Sequence, residues 1–166
     1  MKIDKTSVVY DFEKTSDLSG WSVIDDGVMG GNSKGNFSLK ENSYGYYYGE
    51  VSLENNGGFS SLKYQFKEKD ISCFTKVKIE VKGDGKQYQF RIKKKAIEKC
   101  AYISLFSTTK EWQTITFLLS DMYPTFKGKK LEKPNLIPFK IEQIGFLIAN
   151  KTAENFSLKI RKIYLE

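Results

Sequence analysis

Hydrophobic and polar residues alternate with a period of two along almost the whole chain, and this pattern constrains the fold most. In Lys76–Lys82 (KVKIEVK) the apolar residues fall on one face and the charged residues on the other, as in a half-buried strand. No segment of helical length is amphipathic, and turn sequences at 55–58, 83–85 and 127–129 punctuate the pattern. Many short strands at this spacing predict an all-β fold, a β-sandwich or jelly roll. The predicted strands are Phe37–Lys40, Tyr44–Leu53, Phe59–Phe66, Phe74–Lys82, Gln87–Lys93, Tyr102–Phe106, Trp112–Leu118, Ile141–Ile148 and Phe156–Leu165.

The alternation also predicts the residues of the core. Because Trp112 and Ile115 cannot both point inward from a regular strand, one of them must lie at a strand end or a bulge. The predicted core includes Trp21, Phe59, Leu62, Val77, Ile79, Phe90, Trp112, Ile115, Phe117, Ile144, Phe146 and Ile148.

Length and cysteine content suit one domain in a reducing compartment. A chain of 166 residues can bury a sizeable core without disulfides or metals. Cys73 and Cys100 have apolar or β-branched neighbours and form no CxxC pair, so we expect buried free thiols. The chain starts without the apolar run of a signal peptide, and no segment approaches the roughly 20 apolar residues of a membrane span. We therefore expect a cytoplasmic protein.

The charge balance suits an acidic partner, although it names none. There are 27 Lys and Arg residues against 20 Asp and Glu, a net charge of +7,. Most are lysines spread along the chain, with local clusters at Lys93–Lys95 and Lys127–Lys130. A solvated lysine-rich surface is the expected interpretation, and a nucleic-acid partner is not expected.

Histidine is absent, which excludes His-dependent catalytic triads and His-containing zinc sites. No paired nucleophile and base stands out either. We therefore expect no catalytic residue, metal or cofactor, and no enzyme activity. The carboxylates of Asp25 and Asp26 leave an enzyme of unknown reaction as the remaining alternative.

The segment Trp21–Ser33 (WSVIDDGVMGGNS) packs three glycines and two carboxylates between apolar anchors. Asp-Gly is a turn signal, and the Gly-Gly pair permits a positive φ or a close backbone approach. We interpret the segment as a mainly structural loop whose polar side chains bond the local backbone, with a recognition loop as the alternative. Its key residues are Trp21, Asp25, Asp26, Met29, Gly30, Gly31 and Ser33.

The strand Gln87–Lys93 (QYQFRIK) places Gln87, Gln89, Arg91 and Lys93 opposite its apolar face,. Gln and Arg present several fixed donors where Lys and Glu alone would serve solubility. This polar face is a candidate binding surface, with an ordinary solvated face as the alternative. Two predicted loops at strand ends, residues 55–59 and the Pro-containing residues 121–127, could extend it. The predicted contact residues are Gln89, Arg91, Asn55, Asn56, Phe59, Asp121, Tyr123 and Lys127.

The sequence resembles the complex I intermediate-associated protein 30 family from about Val9 to Leu165. The combination of DDGVMGGNS with NNGGFSS carries the resemblance, together with YDFE near the start and the closing pair of strands. The resemblance implies a galactose-binding-like jelly-roll β-sandwich over residues 1–166, in a single domain. It also implies a non-enzymatic, chaperone-like assembly factor for respiratory complex I.

Plant and cyanobacterial members of that family carry the domain beside a dinucleotide-binding domain, but no GxGxxG follows any strand here. The chain also begins without the Arg-rich leader of a mitochondrial import signal. We therefore expect a stand-alone bacterial version that binds proteins, with respiratory-complex subunits as the first candidates.

A carbohydrate-binding module is the alternative function, because the fold class is shared and the chain has 10 Tyr, 12 Phe and 2 Trp. In the run Tyr44–Tyr48, alternation places Tyr46 and Tyr48 on one face and Tyr47 on the other, so part of the run belongs to the core. Galactose-binding-like folds often hold calcium beside the last strand. The bases of that strand instead predict an ion pair with Glu13.

Overall fold

The structure, a computed structural model, describes residues 5–166 without the side chains of Val28 and Met29. This part of the chain contains strands and three short 3-10 turns, Asp26–Met29, Glu54–Asn56 and Leu119–Asp121. The strands are β1 Ser7–Asp11, β2 Trp21–Asp25, β3 Lys34–Lys40, β4 Tyr44–Val51, β5 Ser60–Asp70, β6 Lys76–Lys82, β7 Gln87–Lys93, β8 Ala101–Ser107, β9 Trp112–Leu118, β10 Tyr123–Phe126, β11 Lys129–Lys130, β12 Lys140–Ile148 and β13 Glu154–Leu165.

The strands form two antiparallel sheets. A seven-stranded sheet has the order β11-β10-β8-β7-β12-β5-β2. A six-stranded sheet has the order β3-β4-β13-β6-β9, and β1 also pairs with β13. β13 is long enough to pair with β4 through its first half and with β1 through its second half. The two sheets enclose one apolar core, which confirms the predicted galactose-binding-like jelly-roll sandwich.

Most of the predicted core residues are buried. They are Trp21, Leu62, Val77, Ile79, Phe90, Phe117, Ile144, Phe146 and Ile148. Phe59, Ile115 and Trp112 are only partly buried, although Ile115 still packs against the core. Trp112 is the first residue of β9 and, by the alternation of that strand, lies on its outer side. The conflict between Trp112 and Ile115 is thus resolved at a strand end, and Trp112 was wrongly placed in the core.

Four strands were missed, and one predicted loop was wrong. Residues 121–127 were expected to form a Pro-containing loop, but Tyr123–Phe126 is β10 and pairs with β8. Pro124 fits because only the two-residue β11 flanks β10 at this edge of the sheet, so its lack of an N–H group costs no ladder bond. β1, β2 and β11 were missed because five residues or fewer give too short an alternation.

The expectation of two buried thiols was wrong for Cys73, which is exposed, while Cys100 is half-buried. Cys73 lies in the turn between β5 and β6, where the Phe74 amide donates to the Ile71 carbonyl (3.1 Å). Ile71 is fully buried and Phe74 packs against the core, so the turn directs the cysteine outward. Both cysteines are free thiols. In the described part of the chain, no helix has the length and apolar character to cross a membrane.

The carboxyl group of Asp26 joins the two glycine-rich segments. It is 1% exposed and accepts hydrogen bonds from the Ser33 hydroxyl (2.5 Å) and amide (2.9 Å). It also accepts from the amides of Gly58 (2.7 Å) and Phe59 (3.3 Å). Burial alone would raise the pKa of Asp26, but these hydrogen bonds outweigh burial and hold the pKa below its usual value,. The ionised carboxylate of Asp26 therefore links the segment DDGVMGGNS to the segment NNGGFSS through hydrogen bonds.

Glycines around Asp26 leave room for its carboxyl group. A Cβ atom on Gly31 would lie 2.4 Å from Asp26 Cγ, and one on Gly57 would lie 2.5 Å from Asp26 Oδ2. Gly30 has a φ of 89°, which glycine adopts without the steric cost that a side chain brings. The glycines of the motif are thus required by the close wrapping of the chain around one carboxylate.

Asp25 connects the two sheets. From β2, its Oδ2 accepts a hydrogen bond from the Gly35 amide of β3 (2.8 Å), and its Oδ1 accepts from the Ser60 hydroxyl of β5 (2.6 Å). The buried Tyr47 hydroxyl of β4 donates to Ser60 Oγ (2.7 Å). Because β2 and β5 belong to one sheet and β3 and β4 to the other, these hydrogen bonds cross the sandwich.

Trp21 anchors the start of the same segment. Its side chain is 7% exposed, stacks on Tyr64 (ring centroids 4.8 Å apart) and packs against Phe37 (5.2 Å) and Phe12 (5.3 Å). The expected packing of the Met29 side chain lies outside the described part of the chain.

The Asp26→Asn variant tests the role of the carboxylate. An amide cannot accept hydrogen bonds with both ends, so we expect a loss of about 2–4 kcal/mol of unfolding free energy at pH 7, measured by urea denaturation. In the folded wild type the pKa of Asp26 is lowered, so its contribution is present above about pH 3.9 and lost as the pH falls through the folded pKa. The variant should lose less stability over that acid range.

The control for this measurement is Asp121→Asn, a substitution at an exposed carboxyl group. We expect it to change the unfolding free energy at pH 7 by less than about 0.5 kcal/mol. Equal stability of the two variants at pH 7 would contradict the assigned role of Asp26.

A second prediction concerns the glycines. Gly31→Ala should cost about 1–3 kcal/mol, because the new methyl group overlaps the Asp26 carboxyl group,. Gly27→Ala is the matched control, since a Cβ atom there meets nothing within 4 Å, and it should change stability by less than about 0.5 kcal/mol. Thermal and urea unfolding measure both. If Gly31→Ala were as stable as Gly27→Ala, the wrapping of the chain around Asp26 would be looser than described.

Candidate functional site

The outer side of the seven-stranded sheet, here named the seven-stranded face, carries a row of residues set by the strand register. This central row runs from β10 through β8, β7, β12 and β5 to β2. Its members are Tyr123, Ile103, Arg91, Gly145, Lys63 and Ser22. The parallel rows contain Leu105, Gln89, Leu147, Ser61 and Ile24, and Lys93, Gln143 and Gln65. None of these residues is acidic.

Arg91 lies at the centre of this face. Its Nη1 donates a hydrogen bond to Gln89 Oε1 (2.8 Å) on the same strand. Burial lowers the pKa of the Arg91 guanidinium, and within residues 5–166 no carboxylate lies at ion-pair distance from it. The remaining guanidinium N–H groups are directed at no acceptor in the described part of the chain. Such a group is suited to grip a carboxylate or carbonyl with paired donors.

Positive charge is concentrated around Arg91. The pKa of Lys93 is lowered, first by burial and then by repulsion from Lys63 and Arg91. Lys93 Nζ donates to the neutral Ala96 carbonyl (3.1 Å), and attraction to Glu98 offsets only part of the lowering of the Lys93 pKa. Two of the three cations on the face, Lys63 and Arg91, are therefore close enough to Lys93 to affect its pKa.

The middle of the face is shaped by a missing side chain. Gly145 lies between Arg91 and Lys63 in the central row, and a Cβ atom on it would lie 2.7 Å from the Leu62 carbonyl oxygen. In the neighbouring row, on β8, Leu105 is 49% exposed. At the β2–β5 edge the surface continues into an open groove of about 520 Å³. The face thus combines hydrogen-bond donors, positive charge and apolar surface.

The structure brings together some of the predicted contact residues and separates others. Gln89, Arg91 and Tyr123 share the seven-stranded face. Residues 55–59 lie at the end of the sheet where β5 begins, beside Ile148 and Asp25 in the register.

Asn55 and Asn56, in that turn, both have positive φ values, of 55° and 60°, and Phe59 is partly buried. Lys127 lies at the opposite end of the sheet, in the turn between β10 and β11, and Asp121 is exposed in a 3-10 turn. The eight residues therefore do not form one continuous surface.

Sequence reasoning missed Lys63, Gly145 and Leu147. The sequence did contain a signal for Lys63, because the alternation in Ser60–Phe66 places this residue on the face opposite the apolar side of β5,. Gly145 inside an apolar strand was also a sign of close backbone approach. Their position next to Arg91 depends on the order β7-β12-β5, which no local pattern contains.

The outer side of the six-stranded sheet carries aromatic rings. Tyr46 and Tyr48 form a pair with centroids 4.5 Å apart, and Tyr44 contacts Trp112 at 5.9 Å. Tyr47 points into the core and is fully buried, as alternation predicted.

Arg161 of β13 organises the centre of this aromatic surface. Its guanidinium lies 4.4 Å from the centre of the Trp112 ring and pairs with Glu80 (3.0 Å) and Glu13 (3.8 Å). The pair with Glu13 is the one expected from the sequence. In residues 5–166 no group of three or more Cys, Asp or Glu side chains is arranged to hold a metal.

Comparisons with known proteins agree with this architecture. The sequence profile described as complex I intermediate-associated protein 30 matches residues 10–160. The mitochondrial complex I intermediate-associated protein 30 of Mus musculus is 25% identical over 181 residues, which cover 95% of this chain and 55% of the mouse protein. The chain thus spans about half the length of that curated relative.

Solved structures share the fold at low sequence identity. A family 11 carbohydrate-binding module from Clostridium thermocellum, in complex with a β-1,3-1,4-mixed-linked tetrasaccharide, has a TM-score of 0.73 and 17% identity, covering 96% of this chain and 94% of that chain. A second structure, of the family 11 module from a cellulosomal cellulase of Clostridium thermocellum, has a TM-score of 0.75 and 16% identity, covering 99% and 95%. At this identity the likeness concerns the fold alone.

Proposed function

Because the chain belongs to the complex I intermediate-associated protein 30 family, we propose that it acts as a protein-binding assembly factor and not as an enzyme. Subunits of a respiratory complex are the first candidates for its client. The seven-stranded face is the proposed contact surface. One observation carries this choice: Arg91 is half-buried and has no carboxylate partner in the described residues.

A charged side chain withdrawn from water without a partner is unfavourable, so it usually has one in the functional state. A client carboxylate, or a backbone carbonyl at a chain turn, would complete the hydrogen bonds of Arg91. The exposed side chain of Leu105 and the half-buried Leu147 lie in the row next to it, and they would supply apolar contact. Arginine beside apolar surface is the typical composition of an interface centre.

The choice of binding over catalysis is supported by the residues of the face. Its three rows contain Arg, Lys, Gln, Ser, Tyr, Gly and aliphatic residues, and they lack a carboxylate or thiol that could serve as base or nucleophile. What they offer a partner is hydrogen-bond donors and positive charge.

The double variant Arg91→Lys with Gln89→Ala tests the proposal. Lysine keeps the charge but loses the paired donors, so capture of native clients by the tagged protein should fall at least about tenfold. Affinity capture from the native organism, quantified by mass spectrometry, measures the loss. Lys159→Ala, on the outer side of the six-stranded sheet, is the control and should leave capture unchanged. Unchanged capture by the folded double variant would place the interface elsewhere.

Carbohydrate binding is a second candidate function, at a different surface. The specific observation is the ring pair formed by Tyr46, which is half-buried, and Tyr48, which is 38% exposed. Flat aromatic faces can stack on sugar rings, and the fold is shared with carbohydrate-binding modules. Arg161 and Lys159, however, already lie over Trp112 and Tyr44, which reduces the free aromatic area.

Titration calorimetry with a mixed-linked β-glucan oligosaccharide separates the two functions. We expect no binding heat. A heat signal that disappears in Tyr46→Ala and Tyr48→Ala, and persists in Arg91→Lys, would favour the carbohydrate function.

A further inference from the structure

A second concave site lies at one end of the seven-stranded sheet, where the β7–β8 loop meets the segment after β11. It is a cleft of about 510 Å³, within the range of ordinary binding sites,. Lys94, Glu98 and Lys99 line one side, and Lys133 belongs to the other. The cleft therefore joins two parts of the chain that are about 30 residues apart in sequence.

Lysines from two parts of the chain lie at the cleft. Lys94, Lys99 and Lys133 line it, and Lys127, outside the lining, has its Nζ 5.5 Å from the centre of the Phe126 ring that lines the cleft. Within residues 5–166 none of these ammonium groups has a carboxylate at ion-pair distance. Glu98 is the single acidic residue of the lining.

Aromatic rings form part of the cleft wall and hold the lysines in place. Lys94 Nζ lies 5.2 Å from the centre of the Tyr102 ring, and Lys99 Nζ lies 5.9 Å from that of Phe126. Each contact is a cation–π pair, which favours one position for a long flexible side chain. Lys94 therefore lies at the Tyr102 ring, while Lys99 and Lys127 share the Phe126 ring.

We propose that this cleft binds an extended acidic segment, rich in Asp and Glu, of a protein partner. The cleft and its rim carry four lysines against Glu98, more positive charge than a compact anion such as phosphate, with about two negative charges, would neutralise. An extended chain can place successive carboxylates beside successive lysines. The use of Lys, which binds as a point charge, suits dispersed carboxylates better than one planar group. This inference rests on the proposed function, since it names the chemistry of a client.

Fluorescence anisotropy of a short labelled peptide of alternating Glu and Ser, with the 166-residue chain, tests the inference. We expect saturable binding that weakens as salt is added, and no binding of the matched peptide with Gln in place of Glu. The variant with Lys99→Glu and Lys133→Glu should bind at least about tenfold more weakly. Lys159→Glu makes the same type of charge reversal outside the cleft and should have little effect.

A conservative variant separates charge from folding. The variant with Lys99→Arg and Lys133→Arg keeps both charges and should bind the acidic peptide within about twofold of the wild type. Equal affinity of wild type and the two-Glu variant would overturn the proposal. So would stronger binding of inorganic pyrophosphate or an oligouridylate RNA than of the peptide, because either would identify a phosphate-bearing ligand.

The same variants distinguish this inference from the proposed function. Arg91→Lys with Gln89→Ala should leave peptide binding unchanged, because those residues lie outside the cleft. If the acidic peptide fails to bind while client capture still depends on Arg91, the inference is wrong and the proposed function stands. If the peptide binds and client capture does not depend on Arg91, the cleft stands and the seven-stranded face is wrong.

Discussion

The hydrogen bonds of two adjacent carboxylates, Asp25 and Asp26, are the constraint on which the arrangement of the sheets depends. Asp25, in the seven-stranded sheet, accepts a hydrogen bond from the Gly35 amide of the six-stranded sheet. Asp26 accepts hydrogen bonds from the Ser33 and Gly58 amides, so that the loop after β2 closes around its carboxylate. Both carboxylates accept hydrogen bonds from backbone amides, which are fixed in space and cannot rotate away as side chains can. An ionised acceptor makes such bonds stronger than neutral ones. The glycines beside Asp26 are the steric condition for this arrangement.

The motif residues bond to one another, so the family resemblance that they carry establishes the fold and leaves the binding surface open. DDGVMGGNS and NNGGFSS are the residues that identify the chain, and their polar atoms are directed at one another. They therefore carry information about the fold. Apart from Ser61, the residues of the seven-stranded face and of the lysine cleft lie outside the motif, on strands and loops that the fold presents to solvent. Function has to be argued from those surfaces, since one jelly-roll fold can carry unrelated sites.

Much of the fold could be predicted because burial imposes a period of two on each strand. The inward positions of β6 and β7 followed directly from alternation, and so did the opposite orientations of Tyr47 and Tyr48. Short edge strands were missed, because β10 contains a proline and β11 has two residues. The orientation of Cys73 depended on a turn geometry that its apolar neighbours concealed.

Only the part of the candidate site that lies within a single strand could be predicted from the sequence. Alternation in β7 placed Gln89 and Arg91 on one face, but the neighbours of Arg91 come from the pairing of β7 with β12 and β8. The meeting of the β7–β8 loop with the segment after β10 at the lysine cleft likewise depends on the pairing of β8 with β10. Such contacts join residues far apart in sequence, and local patterns carry no information about which strands become neighbours.

The two cationic surfaces differ in how much water they retain, and this difference assigns them different physical roles in the proposed function. Burial lowers the pKa of the Arg91 guanidinium, so the charge has already lost part of its hydration, and a partner that supplies acceptors would regain that free energy in a short-range contact. The cleft residues Lys99 and Lys133 are exposed to solvent. Their attraction acts over longer distances, which raises the rate of encounter with an acidic chain, and it weakens as salt increases. Arg91 would therefore determine how long a client stays, and the lysines how often it arrives.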